Sequence, residues 1–262
     1  MFPKLIEIGS FYLPTYGVLV ALAFLCAIWV TSRIAKGFGL EPEQVTNLAV
    51  YCALAGMAGA KLFMFLFDWE IYARNPGQIF SLSTLQAAGV YQGGLLLALL
   101  VAFLYMRRTK MPALLTADVF APGLALGHFI GRLGCFSAGC CWGTECNRSW
   151  AVTFRNPEAA ELTGVPLNVP LHPSQLYEAF AELLLFFILY WFIRRPHRTG
   201  SVIGLYLAAY SLIRFAVEFF RHHEQALPGG VLSLTQWISI GTLLLGLALL
   251  LSGRQRQLVH AT

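Results

Sequence analysis

The sequence predicts an all-α integral membrane protein with about seven transmembrane helices. Of its 262 residues, 57% are hydrophobic and only 12% are charged, whereas soluble domains carry about 25% charged residues. The apolar residues also fall into runs that approach the ~20 residues a helix needs to cross a bilayer. The net charge of +5 indicates contact with anionic membrane lipids rather than nucleic acid, because the basic residues lie mostly between the runs.

The apolar runs define the predicted helices in chain order. They lie at 13–31, 46–67, 87–106, 113–135, 174–193, 201–220 and 232–252. Lys61 in the second run needs a partner, because a charge within the bilayer is costly. Pro122 in the fourth run predicts a kink. We expect 1–262 to form one membrane domain that begins with a short mature segment and not a signal peptide.

Basic residues after alternate runs predict the orientation in the membrane. Arg33 and Lys36 follow the first run, and similar clusters follow the third, fifth and seventh: Arg107, Arg108, Lys110, Arg194, Arg195, Arg198, Arg254 and Arg256. With seven spans these clusters share one side, which the positive-inside rule makes cytoplasmic. The N-terminus is then periplasmic, the C-terminus is cytoplasmic, and 136–172 forms a small periplasmic cap.

The densest group of candidate functional residues is the stretch 127–143, which contains five glycines, three cysteines and Arg132. An arginine at the end of a membrane-length run costs roughly 2.5 kcal/mol or more. Its planar fork of donors, beside open backbone N–H groups, suits a phosphate. The alternative is a glycine-rich packing seam whose arginine extends to the lipid headgroups. The stretch by itself does not decide between these interpretations.

Polar residues also mark the start of three other runs. Tyr16 suits hydrogen bonding to a headgroup, although the residues alone favour an aromatic-belt anchor. Gln92 beside Gly93 and Gly94 faces either a cavity or a helix contact through small residues. Glu178, in the segment His172-Pro173-Ser174-Gln175-Leu176-Tyr177-Glu178, shares a helix face with Glu182. These carboxylates are suited to acid–base chemistry or to structural ion pairs.

The sixth run carries the strongest periodic signal. Tyr210, Arg214, Glu218 and Arg221 fall within one stripe of about 80° on a helix. A polar stripe on a membrane helix should face the bundle interior or a wet cavity. Arg214 and Glu218 are also spaced to satisfy each other. With Arg132, the stripe supplies three arginines, so we expect an anion site, with a lipid phosphate as the natural anion at this depth.

The cysteines divide into two groups. Cys26 and Cys52 lie in apolar runs and are interpreted as packing residues. Cys135, Cys140, Cys141 and Cys146 follow the pattern C-x4-C-C-x4-C, which differs from the usual C-x2-C metal spacing. We therefore expect no metal site, and a disulfide only if the region faces an oxidising compartment.

These motifs together resemble the bacterial phosphatidylglycerol–prolipoprotein diacylglyceryl transferase family over nearly the whole chain. The resemblance rests on Tyr16-Gly17, Gly93-Gly94-Leu95, Gly131-Arg132-Leu133-Gly134 with Phe136 and Gly139, His172 to Glu178, and Arg214-Phe215 with Glu218 and Arg221. It implies a multi-pass enzyme of the bacterial cytoplasmic (inner) membrane. Such an enzyme moves the diacylglyceryl group of phosphatidylglycerol onto the lipobox cysteine of a prolipoprotein signal peptide. Glycerol phosphate leaves, and no cofactor or metal is needed.

The resemblance also implies roles for individual residues. Arg132 would bind the lipid phosphate, and Arg214 would act in the same site, held by Glu218. The other residues implied to be catalytic or to contact substrate are Tyr16, Gln92, Gly93, Gly94, Gly134, His172, Gln175, Glu178, Tyr210 and Arg221.

Three positions depart from the family pattern, which has a histidine at the position of Gln92 and other residues at Cys135 and Cys140. That histidine is a candidate base for the acceptor thiol, and a glutamine cannot take a proton at neutral pH. Glu178, His172 and His128 remain as candidate bases. The alternatives are a divergent paralogue with another acceptor or no activity, and a small transporter or redox protein, which the cysteine cluster would favour.

Overall fold

Long helices make up most of the computed structural model, which describes residues 3–8, 11–81, 84, 89–221, 232–252 and 258–259. The helices are α1 (Thr15–Lys36), α2 (Pro42–Phe67), α3 (Trp69–Arg74), α4 (Tyr91–Thr109), α5 (Ala113–Ala138), α6 (Pro157–Thr163), α7 (Ser174–Ile193), α8 (Ser201–Glu218) and α9 (Leu234–Leu251), with a 3₁₀ turn at Pro76–Phe80. Three short antiparallel pairs join β1 (Lys4–Ile8) to β2 (Phe11–Pro14), β3 (Val152–Thr153) to β4 (Pro170–Leu171) and β5 (His197–Arg198) to β6 (Leu258–Val259).

The all-α membrane fold predicted from composition is confirmed. Within the described residues, six helices are long and apolar enough to cross a bilayer, namely α1, α2, α5, α7, α8 and α9. The predicted third span corresponds to the 19-residue α4, which is not among these six. The count of seven spans and the orientation of the termini therefore stay predictions.

The chain divides into two compact units. Unit 1 contains Met1–Phe38 and Ala117–Thr262, and unit 2 contains Gly39–Thr116. The organisation as a single membrane domain stays a prediction.

Unit 2 is built on a close contact between α2 and α4. A Cβ atom on Gly59 would lie 2.4 Å from the carbonyl oxygen of Gly93, and one on Gly94 would lie 2.8 Å from that of Gly56. Only glycine allows these backbones to approach so closely, as is common between membrane helices. The charge on Lys61 has a partner within the same unit, because its Nζ donates to the carbonyl oxygen of Thr84.

Unit 1 has equally close helix crossings. Gly123 of α5 faces α1, where an added Cβ would overlap the hydroxyl of Thr31. Gly246 of α9 faces α8, where a Cβ would lie 2.8 Å from the carbonyl oxygen of Gly204. These glycines fix how α5 and α9 approach their neighbours, and α5 and α8 carry most of the candidate site.

The basic ends of α1 and α7 lie together in unit 1. Arg33 and Arg194 line one small cavity, and each guanidinium lies over an aromatic ring of its own helix, at 5.3 Å from Trp29 and 4.0 Å from Tyr190. Two of the predicted basic clusters therefore lie at the same end of this unit, as the charge pattern requires.

Asp118 of α5 caps the N-terminus of α8. Its side chain is fully buried. One carboxylate oxygen accepts from the backbone N–H of Ile203 at 2.8 Å, and the other accepts from that of Gly200. These donors have no partner within their own helix, so a buried carboxylate from a neighbouring helix satisfies them.

Replacing Asp118 with alanine is expected to lower the free energy of unfolding by about 1–3 kcal/mol, because two buried donors lose their acceptor. Thermal denaturation in detergent should show a clear drop in Tm for Asp118→Ala and a smaller one for Asp118→Asn, which keeps one acceptor. Equal Tm values for the alanine variant and the unmodified chain would contradict the cap.

Candidate active site

Arg132 and Glu178 form a nearly buried ion pair between α5 and α7. Arg132 Nη2 lies 2.8 Å from Glu178 Oε1, and the exposed fractions of the two side chains are 21% and 3%. The pair explains how an apolar helix tolerates the carboxylate at 178, which needs a cation close by. Because Arg132 has further donors and is less deeply buried, its guanidinium has the capacity to bind a second anion.

Tyr16 lies against α5 beside this pair. A Cβ on Gly134 would be 3.2 Å from Tyr16 Cδ2 and 3.4 Å from Leu19 Cβ, so the glycine gives the ring room to approach the helix. Tyr16 also interacts electrostatically with Arg132. The residue is 42% exposed, so its ring borders the ion pair and still has an open side. The role of Tyr16 as a residue that lines the substrate cavity stays a prediction.

A histidine–tyrosine cluster lies on the other side of Arg132. His128, one turn earlier on α5, has its Nδ1 3.0 Å from the hydroxyl of Tyr206. Its ring centroid is 5.2 Å from that of Tyr210, and the two tyrosine rings of α8 stack at 5.8 Å. Tyr210 interacts electrostatically with Arg132. The cluster therefore places Tyr210 of the predicted stripe beside Arg132. The stripe was wrong at its last member, because α8 ends at Glu218 and Arg221 lies after the helix.

The stripe continues into a second buried ion pair. Arg214 Nη2 lies 2.8 Å from Glu218 Oε2, with side-chain exposures of 11% and 2%. Glu218 Oε1 accepts a hydrogen bond of 2.7 Å from the hydroxyl of Ser233, which caps α9 together with Gln236. Glu218 is therefore fixed by a second helix and holds Arg214 in place.

Arg214 has one donor group left over. Its Nη1 is buried and has no hydrogen-bond partner among the described residues. A buried donor without a partner is costly and rare. Arg214 lies one turn after Tyr210 on α8, and Tyr210 interacts electrostatically with Arg132. Two guanidinium groups with spare donors make this region suitable for a phosphate.

The loop after α5 makes backbone hydrogen bonds both to the segment before α7 and to the segment after α8. Gly143 N–H donates to the carbonyl of His172 at 3.0 Å, and Thr144 N–H donates to that of Phe220 at 2.9 Å. A Cβ on Gly143 would lie 2.6 Å from His172 Cβ, so only glycine fits. Gly143 also forms an isolated β-bridge with Arg221. His172 and Arg221, both predicted to bind substrate, are thereby brought to one loop.

Beyond this loop the chain forms a small apolar cluster of its own. Phe154, Ala159, Val165 and Leu171 are buried there, with Phe136 and Trp142 packed against them. His172 lies at its edge, where Nδ1 is 3.0 Å from the hydroxyl of Tyr177. The segment 136–172 therefore has a core and short strands, and its location on the periplasmic side stays a prediction.

Three cysteine thiols meet where α5 ends. The helix stops at Gly139, which has φ of +81°, and the N–H of Cys140 donates back to the carbonyl of Cys135 at 3.1 Å. This turn is the common left-handed helix ending, which brings the residues on either side of it together. The Sγ atoms of Cys135, Cys140 and Cys141 lie within 4.8 Å of one another. The sequence spacing alone did not predict this group.

The start of α7 holds the cysteine loop. Gln175 Nε2 donates to the carbonyl of Cys140 at 2.6 Å, and Ser174 Oγ donates to that of Cys141 at 2.8 Å. Cys141 itself has φ of +61°, a conformation that residues with side chains adopt only when the surroundings impose it. Gln175, predicted to contact substrate, is thus seen to position the loop, and its substrate contact stays a prediction.

Glu182 is the most buried acid of the site. Its side chain is fully inaccessible, one turn deeper than Glu178, and neither carboxyl oxygen has a hydrogen-bond partner among the described residues. A lone charged carboxylate in such surroundings is very unfavourable. The shared helix face with Glu178 was predicted, whereas the lack of a partner was not.

The remaining predicted residues belong to unit 2. Gly93 and Gly94 are buried in the contact between α2 and α4, which accounts for both glycines through helix packing. Gln92 precedes them in the first turn of α4. The roles assigned to Gln92, Gly93 and Gly94 in catalysis and substrate binding stay predictions.

Comparisons with known proteins bear on the chemistry of this site. Residues 3–252 match the family model described as prolipoprotein diacylglyceryl transferase. Similar proteins include the phosphatidylglycerol–prolipoprotein diacylglyceryl transferases of three bacteria. That of Vibrio parahaemolyticus is 34% identical over 262 residues, covering 98% of this chain and 92% of the relative. That of Clostridium tetani is 31% identical over 247 residues, covering 94% and 96%. That of Vibrio vulnificus is 35% identical over 254 residues, covering 95% and 90%.

The matched region contains the ion pairs of Arg132 and Arg214, the loop at Gly143 and all the helices that position them. The resemblance inferred from the motifs is therefore confirmed over almost the full length of the sequence, whereas the departures at Gln92, Cys135 and Cys140 stay predictions. The chain belongs to the prolipoprotein diacylglyceryl transferase family.

Proposed function

We propose that this protein transfers the diacylglyceryl group of phosphatidylglycerol to the lipobox cysteine thiol of prolipoproteins and releases glycerol phosphate. The relatives carry the name of this activity. The observation that carries the proposal is the pair of nearly buried guanidinium groups of Arg132 and Arg214, one with a donor left over. The phosphodiester group of a membrane lipid is an anion that can accept hydrogen bonds from such donors at this depth.

The arginines act on the donor lipid. In the ground state the phosphodiester carries one negative charge, and a second charge develops when the ester bond to the glyceryl carbon breaks. Donors that are fixed in advance in a partly dry site stabilise developing charge more strongly than water does. Glu178 and Glu218 hold the two guanidinium groups in place, and Tyr16 and Tyr210 interact electrostatically with Arg132.

The acceptor thiol attacks the glyceryl carbon that bears the phosphate ester. The reactive form is the thiolate, so the thiol must lose its proton at or before attack. The new bond is a carbon–sulfur bond, and the broken bond is the carbon–oxygen bond to phosphate. No oxidation or reduction takes place.

The composition and the charges of the protein support a location in the bacterial cytoplasmic membrane. Several apolar helices support a multi-pass membrane protein, and the similar proteins come from bacteria. We place it in the cytoplasmic membrane with Arg33 and Arg194 towards the cytoplasm. Arg132 lies near the opposite end of unit 1, so the site would open towards the outer face, where exported prolipoproteins arrive.

Gln92 favours one second candidate, a divergent paralogue that uses the same lipid with another acceptor. Its side chain cannot act as the base that a histidine would provide at this position. Such a protein would still release glycerol phosphate from phosphatidylglycerol, but not in response to a lipobox cysteine.

The two candidates differ in how glycerol phosphate release depends on the acceptor. We expect purified protein in phosphatidylglycerol-containing micelles to release glycerol phosphate when a lipobox peptide is added, and to release little with the matched peptide in which serine replaces the cysteine. Release that is equal with both peptides would favour the divergent paralogue. No release with either peptide, from folded protein, would contradict the proposed function.

A further inference from the structure

The cysteine cluster at the end of α5 has the composition of a metal site. Cys135, Cys140 and Cys141 are free thiols, and their Sγ atoms lie within 4.8 Å of one another. Around a tetrahedral zinc ion with Zn–S bonds of about 2.3 Å, sulfur atoms lie about 3.8 Å apart. Each pair therefore needs to close by at most about 1 Å, which small side-chain rotations achieve.

The cluster is held by its surroundings and is not a chance meeting of flexible side chains. The left-handed turn at Gly139 joins Cys135 to Cys140. Gln175 and Ser174 of α7 bind the carbonyls of Cys140 and Cys141. Cys141 is kept in a left-handed conformation by these contacts. A loop fixed in this way places its three sulfur atoms before any ligand arrives, as a metal site requires.

The charge around the cluster also suits a bound metal. Zinc with three thiolates carries one net negative charge, and the positive charges of Arg221 and Arg132 act on the Cys141 sulfur. Three protein ligands leave the fourth tetrahedral position open, which is the arrangement of catalytic rather than structural zinc sites. Cys135 lies one turn after Arg132 on α5, so the cluster borders the region assigned to the lipid phosphate.

We propose that Cys135, Cys140 and Cys141 bind one zinc ion, or a divalent ion of similar preference for sulfur, whose open position takes the acceptor thiol as a thiolate. This inference rests on the proposed function, because it assigns the metal to the acceptor side of the same site. It supplies what Gln92 cannot, since coordination to zinc removes the proton of a thiol outright.

The proposed step balances in atoms and electrons. The acceptor thiol replaces a water molecule on zinc and releases its proton to solvent. The sulfur electron pair then forms the bond to the glyceryl carbon, while the electron pair of the broken carbon–oxygen bond stays on the phosphate. The thioether product is a weaker zinc ligand than a thiolate and leaves. The zinc ion keeps its oxidation state throughout.

The first test measures metal binding and not activity. We expect the unmodified protein, loaded with zinc under reducing conditions and desalted, to retain about one zinc per chain. Cys135→Ser, Cys140→Ser and Cys141→Ser should each weaken zinc binding by at least ~100-fold. Cys146→Ala is the matched control, because Cys146 belongs to the same sequence motif but lies outside the cluster, and it should retain the metal. Zinc content that is substoichiometric in the unmodified chain, or the same in all variants, would overturn the proposal.

The second test uses the unmodified chain only, so it does not depend on variants that fold. Cobalt bound at the site should show thiolate-to-metal charge-transfer absorption, and its visible spectrum should change when a lipobox peptide with cysteine is added. The matched serine peptide should leave the spectrum unchanged. A spectrum that responds equally to both peptides, or to neither, would overturn the acceptor role. Because neither readout requires transfer, failure of the proposed function would be seen separately.

Discussion

Replacing Arg132 with alanine is expected to lower kcat/KM for transfer to a lipobox peptide by about 10²–10³-fold, because the leaving phosphate loses a preorganised donor. The change also leaves Glu178, which is 3% exposed, without its cation. The free energy of unfolding should therefore fall by up to about 3–5 kcal/mol, the usual cost of breaking a buried pair. Transfer rates and Tm in the same detergent measure the two effects.

The double variant Arg132→Ala/Glu178→Ala separates catalysis from stability. Removing the unpaired carboxylate should recover much of the lost stability, whereas the donor for the phosphate is still missing, so transfer should stay low. Arg132→Lys keeps the charge but not the planar fork, and we expect an intermediate rate. Recovery of transfer in the double variant would show that Arg132 acts only by satisfying Glu178.

Replacing Arg214 with alanine is expected to be the second most damaging change. It removes the guanidinium whose Nη1 has no partner among the described residues. It also leaves the buried carboxylate of Glu218 without its cation. Transfer should fall by about 10²-fold. Steady-state kinetics with the folded fraction quantified by size exclusion would measure it.

Glu218→Gln is the matched variant for this second pair. The single amide oxygen can face Arg214 while the amide NH2 group donates to Ser233 Oγ, so the side chain loses its charge but can keep its place. We expect transfer to fall much less than in Arg214→Ala, by about tenfold or less, because Glu218 positions the arginine and does not touch the phosphate. A Glu218→Gln variant as inactive as Arg214→Ala would mean that the charge of Glu218 itself takes part in the reaction.

The sequence predicted the helices well because length and apolar content determine them. All six helices that meet the criteria for spanning a bilayer overlap predicted runs. The errors lie at the ends: α1 extends to Lys36 and α2 begins at Pro42, where polar residues continue a helix beyond its apolar stretch. Long basic side chains tolerate such positions because they reach the headgroups.

The local part of the site was equally predictable. Tyr210, Arg214 and Glu218 share one face of α8 because helical geometry places residues four apart side by side, and the pair Arg214–Glu218 forms as that spacing allows. The link from Ser233 to Glu218 was missed, although the pattern Ser233-x-x-Gln236 is a capping signal that marks the start of α9 in the sequence.

Long-range contacts could not be predicted from periodicity. Glu178 was expected to need a cation, but nothing in the sequence identifies Arg132 as that cation or Asp118 as the cap of α8. The cysteine cluster was missed for a more specific reason. The familiar spacings of metal-binding cysteines describe ligands within one turn or loop. Cys135 lies in the last turn of α5 and Cys140 lies after the left-handed turn at Gly139, which brings the two together. A glycine between two cysteines five positions apart, at the end of a predicted helix, is the signal that would have revealed them.

Transfer of the diacylglyceryl group is seen directly in the intact mass of the acceptor peptide. Purified protein is incubated with phosphatidylglycerol carrying deuterated acyl chains and with a lipobox peptide, and the peptide is analysed by fragmentation. We expect the gain of one labelled diacylglyceryl group on the cysteine sulfur, in equal amount to the glycerol phosphate released, and almost none with Arg132→Ala. An unmodified peptide in the presence of folded protein, or label on any other atom, would contradict it.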